Sequence, residues 1–180
     1  MRPRPPVALV CLDLQRARIT HASSPASVAR TAETCRQVLR RARHARWPIL
    51  HVHRREPDPE GARPIPGLEP LPSEPIYVRS GPSAFSHPTF AQAALALGGP
   101  LALIGFSLCD SVLATAFAGV DRGLPIEILQ DAVAVDAQDE RTQRLAMNAP
   151  IMSLSPLCRI IASEELFQED VAALAAANMP

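Results

Sequence analysis

Residue types able to do chemistry gather between Leu101 and Gly123. Cys109, Asp110 and Ser111 stand in succession there, just after a short apolar run, Leu101 to Ile104. Such a run, bounded by Pro100 and Gly105, suits a strand buried on both faces of a parallel sheet. Val112, Leu113, Ala116, Phe117 and Val120 then recur at spacings of three and four, the apolar stripe of a helix, and Gly123 closes it. The three polar residues therefore sit at a helix start, where free N–H groups and the helix dipole favour an anion or a more acidic nucleophile.

A second reactive position follows the apolar run Val7–Leu12. Asp13 comes just past its end, on the rim where open α/β sheets bind ligands, and Gln15 is placed to orient a ligand or Asp13 itself. Arg79 follows a short strand, Ile76 to Val78. His51 and His53 share one face of a third strand, Pro48–His53. A His-x-His pair could hold a metal, but no third ligand is evident, so hydrogen-bonded imidazoles are the plainer reading and no metal or cofactor is assigned.

The elements that must carry these residues alternate along the chain. Ser24-Pro25 opens a helix whose apolar face is Val28, Ala32, Cys35, Leu39 and Ala42, with Arg36, Arg40, Arg41 and Arg43 on a solvated side. Residues 54–75 are proline-rich, read as a long loop without helix or buried strand that covers a site or an interface. Pro82–Phe85 forms a turn, His87-Pro88 begins a helix to Leu97, and Gly98-Gly99 ends it. Pro125–Leu129 is a strand ending at Gln130 and Asp131; Asp136 caps a helix to about Met147. Cys158–Ala162 is a last strand before a helix opening at Ser163. The pattern predicts one domain over residues 1–180, a three-layer α/β/α, Rossmann-like fold with a mostly parallel sheet.

Composition narrows the function. The 18 basic residues are all arginine and are balanced by 18 acidic ones, giving no nucleic-acid or membrane-surface footprint. No apolar stretch reaches membrane-spanning length, and a cytoplasmic location is expected. The four cysteines show no metal spacing; Cys11 and Cys35 read as small core residues, and free thiols fit a reducing compartment. Lacking lysine, the chain has no titrating amine for catalysis, because guanidinium does not deprotonate.

Three segments in order, VALVCLDLQ at 7–15, YVRSGPSAF at 77–85 and IGFSLCDSVLATAFAGVDRG at 104–123, resemble the isochorismatase-like (cysteine hydrolase) superfamily, which includes nicotinamidases, other small amidases and isochorismatase. The resemblance implies a Rossmann-like fold, usually oligomeric, and a catalytic aspartate, lysine and cysteine. Aspartate and lysine activate a thiolate that attacks an amide carbonyl, and backbone N–H groups beside a cis peptide hold the oxyanion. Carried over, Asp13 matches the aspartate, Arg79 falls at the lysine, Ser111 falls at the cysteine, and Phe106-Ser107 falls at the cis peptide. Cys109 and Ser111, two apart on a helix, point about 200° from each other, so Cys109 remains a lesser candidate that an unwound first turn could rescue.

The altered set predicts a small-molecule site. Arg79 can clamp a carboxylate or an oxyanion through its fork of donors, and a carboxylate paired with it is a weak base. Gln15, Phe85, Phe106, Ser107, Leu108, Cys109 and Asp110 are expected to line the pocket. The leading expectation is an altered hydrolase acting on a small, anionic amide, ester or vinyl ether; the family branch that cleaves a vinyl ether uses a protonated aspartate instead of the cysteine. The alternative is an inactive relative that binds a small anion. A structural role through apolar helices is a third. A homodimer or larger homo-oligomer is expected from the family's habit.

Overall fold

The computed structural model describes residues 8–20, 24–135 and 154–167. Six strands form one sheet in the order β3-β2-β1-β4-β5-β6. They are β1 (Ala8–Leu12), β2 (Ile49–Arg54), β3 (Ile76–Arg79), β4 (Leu101–Phe106), β5 (Ile126–Ala134) and β6 (Cys158–Ile161), and every pairing is parallel. The two central strands, β1 and β4, are buried throughout, as their continuous apolar runs require. Alternation splits each between two cores. Val10, Leu12, Leu101 and Leu103 join the cluster that holds Phe85, Phe90, Val112 and Ala116. Leu9, Cys11, Ala102 and Ile104 face Cys35, Val38, Leu39 and Ala42.

The helices are α1 (Ala17–Thr20), α2 (Pro25–His44), α3 (Pro59–Ala62), α4 (Pro88–Leu97) and α5 (Leu113–Val120). Helix α2 starts as the sequence predicts: Pro25 occupies the first turn and the Ser24 hydroxyl accepts from the Ser27 N–H at 3.4 Å. Its buried side includes Ala32, Cys35, Leu39 and Ala42. Helix α4 is capped by His87, whose Nδ1 accepts from the Phe90 N–H, and ends at Gly98 with φ 62°. The layers thus form an α/β/α sandwich. No helix of the described residues is long and apolar enough to cross a membrane.

Several expectations are corrected. The 54–75 segment contains α3, because Asp58 caps its Glu60 and Gly61 N–H groups, and it buries Ile65 and Leu68. Strand β5 runs on past Asp131 to Ala134, because Ala132 and Val133 return to the core after the exposed pair Gln130 and Asp131; the pairing shifts register between Leu103 and Gly105. On α5 the expected stripe holds at Val112 and Ala116, which are buried, and at Leu113 and Val120, which pack partly buried against the same core; Phe117 departs from it, 41% exposed, while Thr115 and Gly119 are buried. The helix expected from Asp136 lies outside the described residues, as does the C-terminal helix beyond residue 167.

Arg43 is also not simply solvated. Its Nε and Nη2 donate to Glu74 at 2.8 Å each, at the amino end of β3. The buried His51 ring meets the same carboxylate, Nε2 to Oε2, at 2.9 Å, and the Leu71 N–H adds a fourth bond at 2.9 Å. Burial lowers the His51 pKa to about 4, against a partial upward pull from Glu74. Burial would raise Glu74, but hydrogen bonds from Arg43, Leu71 and His51 outweigh it and bring it down to about 2.

Candidate functional site

At the opposite, carboxyl edge of the sheet, four strand ends bring charged and polar groups together. The chain leaves β1 at Asp13 with φ 51°, and the Asp13 N–H donates to Val52 O at 2.8 Å, which ties it to β2. Beside it, Gly105 of β4 has φ +133°, and a Cβ there would stand 1.9 Å from Leu12 O. Only glycine lets the two strands lie this close.

Asp13 is fully buried. Arg79, on the end of β3, closes over it: Nε donates to Oδ1 at 3.2 Å and Nη2 to Oδ2 at 2.8 Å. The remaining nitrogen, Nη1, donates to Gly81 O at 2.7 Å and Pro82 O at 3.2 Å. Burial works against the Arg79 charge, but Asp13 and then Asp110 overcome it and raise its pKa. The fork therefore holds its charge and has no proton to give.

Strand β4 leads through a cis Phe106–Ser107 peptide into a π turn, Leu108–Val112. The N–H groups of Asp110, Ser111 and Val112 converge on Ser107 O at 3.2–3.3 Å. The turn sets its side chains apart. Ser111 is completely buried and its hydroxyl donates to Phe106 O at 3.5 Å; Cys109 is exposed. Their opposite placement follows the helical geometry. Among the described residues, no hydrogen bond joins Ser111 to Asp13 or Arg79. The buried thiols are poor nucleophiles: burial raises Cys11 and Cys35 strongly and Cys158 to about 11.

Asp110 lies between three guanidinium groups. Arg18 Nη2 pairs with its Oδ2, Arg54 Nη1 donates to Oδ2 at 3.2 Å, and Arg79 Nη2 reaches Oδ1 at 3.5 Å. Arg54, Arg79, Ser80 and Asp110, with Arg55 and Gly81, line an open depression of about 310 Å³. Arg18, Arg54 and Arg55 are the residues that sequence reasoning missed. The available signal was positional: β2 ends in Arg54, β3 ends in Arg79, and Arg18 follows the end of β1.

The other expected lining residues are placed differently. Gln15 turns to the backbone: its Oε1 accepts from Arg54 N at 2.8 Å, and its Nε2 donates to Arg54 O at 3.0 Å and Ala62 O at 3.2 Å. These bonds position the end of β2, and none of them goes to the Asp13 carboxylate. Phe85 packs on Phe90 with Arg122 over its ring, and its turn is tied to α5 by Ala84 N–H to Thr115 Oγ1 at 3.0 Å. Phe106 and Leu108 lie in opposite cores, and Ser107 is half-buried beside the cis bond. His51 faces Glu74, and its ring meets His53 edge-on at 6.4 Å.

An all-parallel sheet between two helical layers, with its charged groups on the carboxyl rim, defines an α/β/α protein with a rim site. Residues 7–155 match the isochorismatase domain, and the chain belongs to the isochorismatase family of hydrolases. Solved structures share the fold. An isochorismatase from Pseudomonas putida KT2440 superposes with a TM-score of 0.75 at 23% identity, over 88% of this chain and 89% of that one. An isochorismatase family protein from Burkholderia thailandensis gives 0.74 at 20%, over 96% and 97%. N-carbamoylsarcosine amidase from Thermoplasma acidophilum gives 0.70 at 19%, over 88% and 97%. No curated protein matches the chain in sequence.

Proposed function

We propose that this isochorismatase-family protein recognises a small anionic ligand at the carboxyl rim and does not carry out the family's thiolate chemistry. One observation carries the reading: both oxygens of the buried Asp13 accept from Arg79, whose charge is fixed. A carboxylate filled in this way is a poor general base, and among the described residues the Ser111 hydroxyl bonds to Phe106 O and not to it. The guanidinium groups around the depression supply the fork geometry suited to carboxylates and phosphates. The resemblance places a lysine at Arg79 and a cysteine at Ser111, so the departures favour binding over proton transfer. The reading places the protein in the cytoplasm, which its four free cysteines fit. A homo-oligomer is a further part, tested by sedimentation.

A second reading is hydrolysis of a small anionic amide, ester or vinyl ether, with Asp13, Arg79 and Ser111 in the altered set. The long 3.5 Å bond of the Ser111 hydroxyl favours it, because a hydroxyl so loosely held is free to turn.

Thermal-shift titration with small carboxylates and phosphates, against chloride at equal ionic strength, tests the first reading. It expects a saturable rise in Tm that weakens in Arg54→Ala, a variant that leaves the Asp13–Arg79 pair intact. No rise with any anion overturns it. Turnover of any amide, ester or vinyl ether that disappears in Ser111→Ala replaces it with the second.

A further inference from the structure

We propose that Asp110 is a built-in competitor: its carboxylate occupies the arginine cradle as a stand-in for the ligand's carboxylate, and an incoming carboxylate must displace it. The inference rests on the anion-binding reading and adds how the site is kept closed and which anion it prefers.

The geometry divides the arginines into two roles. Arg79 is held by Asp13, Gly81 O and Pro82 O whether or not Asp110 is present. Its Nη2 reaches Asp110 at 3.5 Å, the long contact of the set. Arg18 reaches in from α1 and Arg54 from the end of β2, with side chains 20% and 46% exposed. Asp110 itself is 29% exposed, so solvent and solutes reach it. The group these three donors surround is planar, carries one charge and presents two oxygens. A free carboxylate offers the same oxygens to the same donors.

The local charge leaves room for a ligand. Arg18, Arg54, Arg55 and Arg79 stand against Asp13, Asp110 and Glu56, the last of these 3.9 Å from Arg54. With Asp110 swung out, the cradle regains the charge that Asp110 neutralised, and a ligand carboxylate restores the balance. Asp110 lies on the π turn, which rests on Ser107 O and not on the Asp110 side chain, so its side chain can leave without unmaking the backbone. A site open about a tenth of the time binds its ligand roughly tenfold more weakly than one always open.

The test compares wild type, Asp110→Ala and Asp110→Asn by calorimetry and thermal unfolding. The probes are acetate, succinate and inorganic phosphate, each against chloride at equal ionic strength. The expected result is at least tenfold tighter binding of acetate or succinate to Asp110→Ala, with a rise in Tm absent from wild type at the same concentration. Adding Arg54→Ala removes the gain. Should Asp110→Ala fail to fold, Asp110→Asn keeps the side chain's shape without its charge and shows a smaller gain in the same direction. Equal affinity in wild type and variant overturns the competitor role and leaves anion binding standing. No binding to any of the proteins overturns both. Tighter binding of phosphate than of either carboxylate to Asp110→Ala overturns the carboxylate preference.

Discussion

The sheet carries an ionic cluster at each end, and the two are built on opposite principles. At the amino end, Glu74 gathers four hydrogen bonds from Arg43, Leu71 and His51 on one carboxylate, and Arg43 Nη2 turns its further capacity to Glu69 O at 2.8 Å. Arg43 on α2 and His51 on β2 hold Glu74, which stands in the loop just before β3, and its carboxylate is saturated. At the carboxyl end, guanidinium groups outnumber the carboxylates around them: Arg18, Arg54, Arg55 and Arg79 stand with Asp13, Asp110 and Glu56. The same residue types thus make a staple where the acceptor is filled and a receptor where donors remain. Burial alone does not separate them, since Asp13 and Glu74 are both nearly inaccessible.

The largest test of this contrast removes Arg79. In Arg79→Met, Asp13 is left as an unpaired buried charge, and unfolding in urea should show a loss of about 3–5 kcal/mol. A loss under 1 kcal/mol would mean that water or another arginine reaches Asp13, and the carboxyl end would then be as open at its base as at its mouth.

The amino end should respond to a milder change. Glu74→Gln keeps the side chain's size but gives up charge-assisted bonds, at a cost of about 1.5–3 kcal/mol by the same measurement. A neutral outcome would reduce the staple to ordinary packing.

Acid titration of stability sharpens the comparison further. The folded pKa of His51 is depressed from 6.5 to about 4, so the folded state binds fewer protons than the unfolded one, and stability falls as pH drops from about 6.5 towards 4. Glu74, depressed from 4.5 to about 2, contributes fully above its unfolded value and loses that contribution as pH falls through about 2. His51→Asn should shrink the first limb to the part that His53, also lowered by burial, contributes, and should start the second at a higher pH, because Glu74 loses one of its donors. A first limb of unchanged slope in that variant would assign it to another group.

The smallest expected effect is at Ser111. Its hydroxyl bond is long, and Ser111→Ala should change stability by no more than about 0.5 kcal/mol, with anion affinity unchanged. A large loss in affinity would move Ser111 from the packing into the receptor.

These clusters were unequally legible in the sequence. Strands β1 and β4 announced themselves as Val7–Leu12 and Leu101–Ile104, because a strand buried on both faces must be apolar at every position. Ser24-Pro25 and Gly98 marked helix ends through local backbone chemistry. Asp13, Arg79 and Asp110 could be placed on the rim because they follow strands or begin a helix. Their partners could not be read, because Asp13 meets Arg79 from 66 positions away and Asp110 meets Arg18 from 92. Arg43 on α2, His51 on β2 and Glu74 in the loop before β3 follow no shared period, so the staple had no signature. The stripe on α5 was legible at Val112, Leu113, Ala116 and Val120; Phe117 is exposed where Thr115 and Gly119 are buried, and the π turn before the helix left no periodic signature.

The close approach at Gly105 reaches beyond the backbone it explains. Its single hydrogen atom works as a gauge block between β1 and β4, one residue ahead of Asp13 and shortly before the turn carrying Asp110 and Ser111. Even an added methyl group would have to wedge Leu12 aside and carry Asp13 with it. The identities of the rim side chains can therefore drift through mutation while their separation stays fixed. Anyone redesigning the rim inherits that spacing and is free to exchange only what hangs from it.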